Sequence, residues 1–121
     1  MNFLIADQCG VVIVSMLLAK QGVDVNQAAD DGWTPLLFAS QEGHAEVVSM
    51  LLAKQGVDVN QADDFGFTPL YIASQGGHAE VVSMLLAKQG VDVNQATNNG
   101  CTPLCMASCR GGFIAAPISR Y

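Results

Sequence analysis

The chain has 121 residues, half of them apolar, which is enough for one domain with a single core. Charged residues make up only 13% of the chain and the net charge is −6, so the phosphate backbone of nucleic acids is disfavoured as a partner. The same charge favours a protein partner with a basic or amphipathic face.

The N-terminal segment, residues 1–19, is apolar enough to imitate a secretory signal. A signal begins with basic residues, whereas the first lysine here is Lys20, and Asp7 and Gln8 interrupt the apolar run. No apolar run has membrane-spanning length. We therefore predict no association with membranes. The cysteines form no C-x-x-C pair, and three of them lie within nine residues, which is a poor framework for disulfides. They predict reduced thiols in an intracellular, cytoplasmic protein. The four are Cys9, Cys101, Cys105 and Cys109.

An internal repeat organises the chain. The sequence W-T-P-L at 33–36 recurs as F-T-P-L at 67–70 and as C-T-P-L at 101–104, with a spacing of 34 residues each time. Residues 43–62 are identical to residues 77–96. Identity over such a length indicates repeats that descend from duplication.

Each unit predicts two helices. A glycine turn precedes a Thr-Pro step, in which threonine caps the first helix and proline takes its first position. The first helix covers residues 36–41 and stops at Gly43. The second runs from 45 to 54 with its valine and leucine pairs on one face, ends at Gly56, and leads into an extended stretch at 57–60. One such pair cannot bury both apolar faces, so neighbouring units must stack.

The pattern D-x-G-x-T-P-L, then A-x-x-x-G-H-x-E-V-V-x-x-L-L, then G-x-D-V-N resembles the ankyrin repeat over nearly the whole chain. The resemblance implies an all-α repeat solenoid, in which stacked helix-turn-helix units are joined by β-hairpin-like loops. It implies one domain, 1–121, with a partial repeat at 1–29, repeats at 30–63 and 64–97, and an incomplete repeat at 98–121 that ends in an irregular tail. It also implies a protein-interaction scaffold rather than an enzyme.

The chain departs from the usual ankyrin pattern within the repeats. The unit has 34 residues rather than 33, and the extra residue falls in 53–55, where we expect a longer helix end or loop. The histidine that commonly follows Thr-Pro-Leu is replaced by Leu37, Tyr71 and Cys105. A polar network that usually joins repeats is therefore expected to be missing.

Both ends depart as well. Met1 falls in register with Pro35, so the chain begins inside a repeat and residues 11–20 form its second helix, with Val12 in place of a glutamate. Pro117 falls inside the second helix of the last repeat, where proline costs about 3 kcal/mol or more. Since arrays need polar end caps, one alternative is a piece of a larger array that forms homo-oligomers through its ends and loses them when Val12 is charged. Another is a truncated duplicate without a dedicated function.

The repeats differ from one another at the turn tips and the first helices, where the resemblance implies that partners dock. We predict contact by Asp30, Asp31, Trp33, Gln41 and Glu42 in the second repeat, by Asp64, Phe65, Phe67 and Gln75 in the third, and by Asn98, Asn99, Cys101 and Arg110 in the fourth. Stacking places Trp33, Phe67 and Cys101 in one ladder, flanked by acidic groups, which favours a protein partner that presents apolar and basic side chains. The alternative for Trp33 and Phe67 is packing alone. Phe65, within the turn itself, is the better candidate.

Other polar residues have structural interpretations. His44 and His78 are in register but no third metal ligand has suitable spacing, and the resemblance implies that each links its two helices by hydrogen bonds. Cys105 and Cys109 would share a helix face as metal ligands or redox groups, yet no histidine accompanies them, and Cys105 fills an apolar position. We predict no metal, no cofactor and no catalytic residue, since no phosphate loop or nucleophile elbow is present.

Asparagines end the three D-V-N stretches, and a leucine stands eight residues before each. That spacing resembles the pattern of asparagine hydroxylation in some ankyrin repeats. The alternative is that these loop asparagines hydrogen-bond the backbone. The three are Asn26, Asn60 and Asn94.

Overall fold

The computed structural model describes the backbone of residues 3–111 and the side chains of residues 10–109. Within these residues the chain forms six helices and no β-strand. The helices are α1 (Phe3–Ala19), α2 (Pro35–Glu42), α3 (Ala45–Ala53), α4 (Pro69–Gly76), α5 (Ala79–Ala87) and α6 (Pro103–Gly111). The predicted all-α repeat solenoid is confirmed. The loops between repeats consist of turns in the described residues, so their hairpin-like character stays a prediction.

The first helices begin and end as their sequence predicts. Thr34 Oγ1 accepts a hydrogen bond from the backbone N–H of Leu37 at 3.2 Å, and proline follows at the first helical position. Thr68 caps α4 in the same way. Gly43 ends α2 with φ 72°, a left-handed conformation that glycine adopts without steric cost. These local signals place the first helices independently of tertiary packing.

The second helices end at Ala53 and Ala87, one residue earlier than predicted. Lys54 has an extended backbone and begins a turn, so the additional residue of the 34-residue unit belongs to the loop. The ammonium group of Lys54 donates to the backbone oxygen of Leu18 at 2.9 Å, and that of Lys88 donates to Leu52 at 2.8 Å. Each lysine therefore supplies a cation near the carboxyl end of the preceding second helix.

The extended stretch predicted for residues 57–60 is wrong in its second half, where residues 59–60 form a turn. The carboxylate of Asp58 accepts a hydrogen bond from the backbone of Asn60 at 3.0 Å, and the Asp58 carbonyl accepts one from Gln61 at 3.4 Å. An aspartate that bonds the backbone two residues later favours a turn over an extended chain.

The asparagine within this turn joins neighbouring repeats. Asn60 Oδ1 accepts a hydrogen bond from the backbone of Asp92 at 2.7 Å, and Asn60 Nδ2 donates to the Gly90 oxygen at 2.9 Å. Asn26 makes the same pair of bonds to the next repeat. The interpretation of these asparagines as backbone-bonding residues is confirmed for Asn26 and Asn60.

Stacking produces two apolar clusters. The larger one lies between the first and second helices and contains Leu36, Leu70 and the buried faces of α3 and α5. The smaller one contains Leu37, Tyr71 and Ile72, between successive first helices. Leu37 and Tyr71 stand where the ankyrin pattern usually has histidine, and their buried side chains pack between the repeats. Burying one such leucine stabilises the fold by about 1.5–3 kcal/mol.

The N-terminal helix differs from its prediction. The helix expected at 11–20 is present, but α1 begins eight residues earlier, at Phe3, and ends at Ala19. Gly43 and Gly77 take left-handed conformations at the break between the first and second helices of their repeats, and Cys9 stands in their register. Without a glycine there, the helix continues.

The last repeat begins with the first helix that was predicted for it, α6. The irregular tail predicted around Pro117 lies outside the described residues, and the repeat boundaries stay predictions.

The tips of successive repeats are joined through their backbones. Asp64 N donates to the Asp31 oxygen at 3.2 Å, and Asn98 N donates to the Phe65 oxygen at 3.0 Å. Gly66, with φ 86°, leaves so little space that a Cβ atom would lie 2.7 Å from Asn98 N. Gly100 has the same φ of 86° but nothing within 4 Å of that position.

A comparison of alanine variants at these two glycines separates the cost of backbone strain from the contribution of contact between the tips. Alanine at either position pays for the left-handed conformation, about 1–2 kcal/mol. Gly66→Ala also pushes the third tip away from the fourth, so we expect it to lower the free energy of unfolding by roughly 1–3 kcal/mol more than Gly100→Ala. Urea unfolding followed by circular dichroism measures both variants. Equal losses would show that tip contact contributes nothing to stability.

Candidate partner-binding surface

The tip of the third repeat is built around Asp63, which is buried. One carboxylate oxygen accepts hydrogen bonds from the backbones of Phe65 and Phe67, both at 2.9 Å. The other accepts the indole N–H of Trp33 in the preceding repeat at 2.8 Å. Asp63 therefore fixes both the shape of its own turn and the position of the neighbouring tip.

The sequence analysis named Asp64 at this tip and missed Asp63. The signal for it lies in the position immediately before each turn, where Thr97 stands in the fourth repeat and its hydroxyl accepts a hydrogen bond from the backbone N–H of Cys101 at 3.2 Å. The second repeat has Ala29 at this position, and there Asp31 accepts from the backbone of Trp33 at 3.1 Å instead.

The predicted ladder of Trp33, Phe67 and Cys101 lies along the smaller apolar cluster, and all three side chains are half-buried against it. The ring of Phe67 stacks on Tyr71 with centroids 5.1 Å apart and planes 9° apart. Trp33 contacts Phe38 at a centroid distance of 5.1 Å. The ladder residues thus use much of their surface for packing, and each keeps a part exposed.

Phe65 has a different environment. Its side chain is 63% exposed, and its ring centroid lies 5.8 Å from that of Phe67. The backbone beneath it is held on both sides, since Phe65 N donates to Asp63 and Phe65 O accepts from Asn98 N. The chain therefore presents a large apolar ring to solvent on a turn with little freedom to move.

Acidic and amide side chains surround the aromatic tips. Asp30, Asp31 and Asp64 are exposed at the turns, as are Asn98 and Asn99. Lys54 and Lys88 do not neutralise this surface, because their ammonium groups bond to helix carbonyls. The tips of the second and third repeats combine apolar rings with negative charge.

The predicted first-helix residues lie at the carboxyl ends of their helices. Gln41, Glu42 and Gln75 are exposed, and the side chain of Arg110 lies outside the described residues. The Gln41 carbonyl lies 3.0 Å from Nε2 of His78. This contact connects successive repeats. The backbone N–H of His78 also donates to the Ala73 oxygen of α4 at 3.0 Å, as that of His44 donates to the Ala39 oxygen of α2, so the expected hydrogen bonds between the two helices of a repeat are confirmed for both histidines. The glycine turn before His78 brings its ring against the preceding first helix.

The described side chains contain no group of three or more histidine, cysteine, aspartate or glutamate residues arranged to hold a metal ion. Among the helices of residues 3–111, none combines the length and hydrophobicity required to cross a bilayer.

Two family models match the chain. One, described as ankyrin repeats (3 copies), matches residues 3–63, and the other, described as ankyrin repeats (many copies), matches residues 51–107. No curated protein matches the chain in sequence. The two matched segments overlap and together cover all six helices to within the last turn of α6. The stacked pairs, their Thr-Pro starts and these matches lead to one conclusion: the chain belongs to the ankyrin repeat family.

Proposed function

We propose that the chain is a protein–protein interaction scaffold, which binds a partner protein through its tips and the concave surface of its first helices. Ankyrin repeats generally mediate protein–protein interactions, and proteins built from them are typically not enzymes. The observation that carries the proposal is Phe65, an aromatic side chain 63% exposed on a rigid turn beside the exposed carboxylate of Asp64.

Rigidity supports binding at this surface. Backbone hydrogen bonds join the second tip to the third and the third to the fourth, and Asp63 fixes Trp33. A surface that is already ordered loses little conformational entropy when a partner arrives. Aromatic side chains on such surfaces are frequent hot spots, because they bury much area with few rotatable bonds.

The chemistry of the tips selects the partner. Aromatic rings with acidic neighbours fit a protein that presents apolar side chains flanked by lysine or arginine, and nucleic acid or an anionic membrane surface would be repelled. The proposal places the protein in the cytoplasm, where exposed thiols such as Cys105 stay reduced.

A second candidate function is self-association through the ends of the array. It uses other residues than the tips, and apolar side chains that are exposed at both ends favour it.

Removing the exposed ring should abolish capture of the partner. We expect Phe65→Ala to reduce recovery of a specific protein from source-cell lysate at least tenfold, a loss of about 1.4 kcal/mol or more, with helical circular dichroism unchanged. Val12→Ala is the matched control, because Val12 is also exposed but lies on α1, away from the tips. Equal recovery by parent and Phe65→Ala, or no specific recovery by either, would refute tip-mediated binding.

Removing charge should weaken the same interaction without disturbing the turns. In the double variant Asp30→Asn with Asp64→Asn, asparagine keeps the ability to form turns while two negative charges are lost. We expect weaker capture and a smaller loss of binding when salt is raised from 50 to about 300 mM, since fewer charge pairs remain to be screened. An unchanged salt dependence would show that the acidic tips do not face basic groups.

A further inference from the structure

The two ends of the described array expose complementary helix positions. At the N-terminal end α1 packs beside α3 as a second helix, and no described residue occupies the first-helix position beside α2. At the C-terminal end α6 packs beside α4 as a first helix, and no described residue occupies the second-helix position beside α5.

The vacant first-helix position is an apolar groove of about 580 Å³ between α1, α2 and α3. Phe38 in its wall is 51% exposed, whereas Ile72, in the same register of α4, is 4% exposed because α2 covers it. Leu17 is 57% exposed, whereas Leu51, in the same register of α3, is 3% exposed. Both side chains therefore lie in positions that the fold buries wherever the neighbouring first helix is present.

The C-terminal end shows the reverse. Leu104 of α6 is 75% exposed, whereas Leu36, in the same register of α2, is 2% exposed. Leu86 of α5 is exposed, and Leu52 in the same register of α3 is buried, because α5 lies against α3. These leucines lack the cover that a following second helix supplies.

We propose that two copies of the chain associate head to tail, with α6 of one copy in the groove of the next, so that α6 and α1 of the partner copy make one complete repeat. The inference rests on the second candidate function, self-association, and names its geometry. Leu104 of one copy would then cover Leu17 of the other, as Leu36 and Leu51 share one cluster within a repeat.

Continuity with the internal interfaces identifies a second copy as the occupant. Residues 15–28 are identical to residues 49–62 and 83–96. The carboxyl-terminal half of α1 therefore has the same sequence as the corresponding halves of α3 and α5, and it can pack on a preceding second helix in the same way. Since α3 and α5 are identical in sequence, the exposed face of α5 matches the face of α3 against which α5 packs. The contact between second helices in the composite repeat therefore has a counterpart inside one chain, in the contact of α3 with α5.

Charge also favours α6 in the groove. The groove is lined by Asp24, Glu42 and Glu46. The sequence of α6 has no acidic residue and includes Arg110. An apolar helix with one cationic residue is complementary to an apolar groove with an acidic rim. Because each copy keeps one unfilled end, such association is open and continues with concentration.

Two variants, each disabled at one end, test the geometry. Leu17→Asp blocks the groove and Leu104→Asp blocks the helix, and since both leucines are exposed, each variant should keep the circular dichroism of the parent.

By sedimentation velocity we expect the parent to form larger species as its concentration rises. Each variant alone should need a more than tenfold higher concentration to associate, because an apolar contact would have to accept a carboxylate. An equimolar mixture should form a species of twice the 12.7 kDa chain mass and stop there, because it combines one intact groove with one intact helix.

Val12→Glu is the matched control for added charge. Val12 shares its register with Glu46 and Glu80, which are exposed in the internal repeats, so we expect association to survive this change, contrary to the expectation from sequence. Phe65→Ala should leave association intact, which separates it from partner binding at the tips.

Three results would overturn the head-to-tail arrangement. A parent that stays monomeric at every concentration would refute self-association altogether and indicate that the chain's own residues beyond α6 cover its exposed face. Continued association of Leu104→Asp alone would indicate pairing between two grooves. A mixture that stays monomeric would show that groove and helix do not meet.

Discussion

Every helix pair in this chain depends on its neighbours for burial. Tyr71 is enclosed because first helices lie on both sides of it, whereas Cys105, in the same register, is exposed on a helix that has one first helix, α4, as its neighbour among the described residues. Hydrophobic free energy is thus gained at the interfaces between repeats rather than inside each one. Stability accumulates along the array, and leucines and phenylalanines such as Phe38 and Leu104 are exposed where no neighbouring helix covers them among the described residues.

Apolar faces alone would allow repeats to slide, because burial has no directional preference. Polar groups fix the register. Asn26 and Asn60 reach the next repeat, Lys54 reaches back to Leu18, and the ring of His78 meets the Gln41 carbonyl. Each bond has a defined donor and acceptor, so a displaced repeat would leave several polar groups without partners. These contacts join the repeats of a chain in which Leu37, Tyr71 and Cys105, rather than histidine, follow Thr-Pro-Leu.

The parts of the fold that local chemistry determines were predictable from sequence. Thr34, Pro35 and Gly43 define α2 through backbone geometry that needs no tertiary contact, and the 34-residue period extended this result to the other repeats. Errors arose where side chains compete for the backbone. Asp58 accepts a hydrogen bond from Asn60 and thereby forms a turn where an extended stretch was expected. Asp63 was overlooked because it also bonds to Trp33, which is 30 residues away in sequence. Partial burial of the ladder was likewise a property of stacking and not of any single repeat.

Duplication has given the two kinds of surface different capacities. The second helices and the loops after them are identical between repeats, so the face that one repeat offers is accepted by the next, and the same matching extends to another copy of the chain. The tips carry Trp33, Phe67 and Cys101 in one register and otherwise differ in the three residues before the turn glycine, where only Asp30 and Asp64 match. Identical surfaces can pack on one another from repeat to repeat, whereas surfaces that differ along the array can bind a partner whose own surface does not repeat. The second helices therefore serve stacking, whereas Trp33 and Phe67 at the tips pack within the array and also keep a part of their surface exposed.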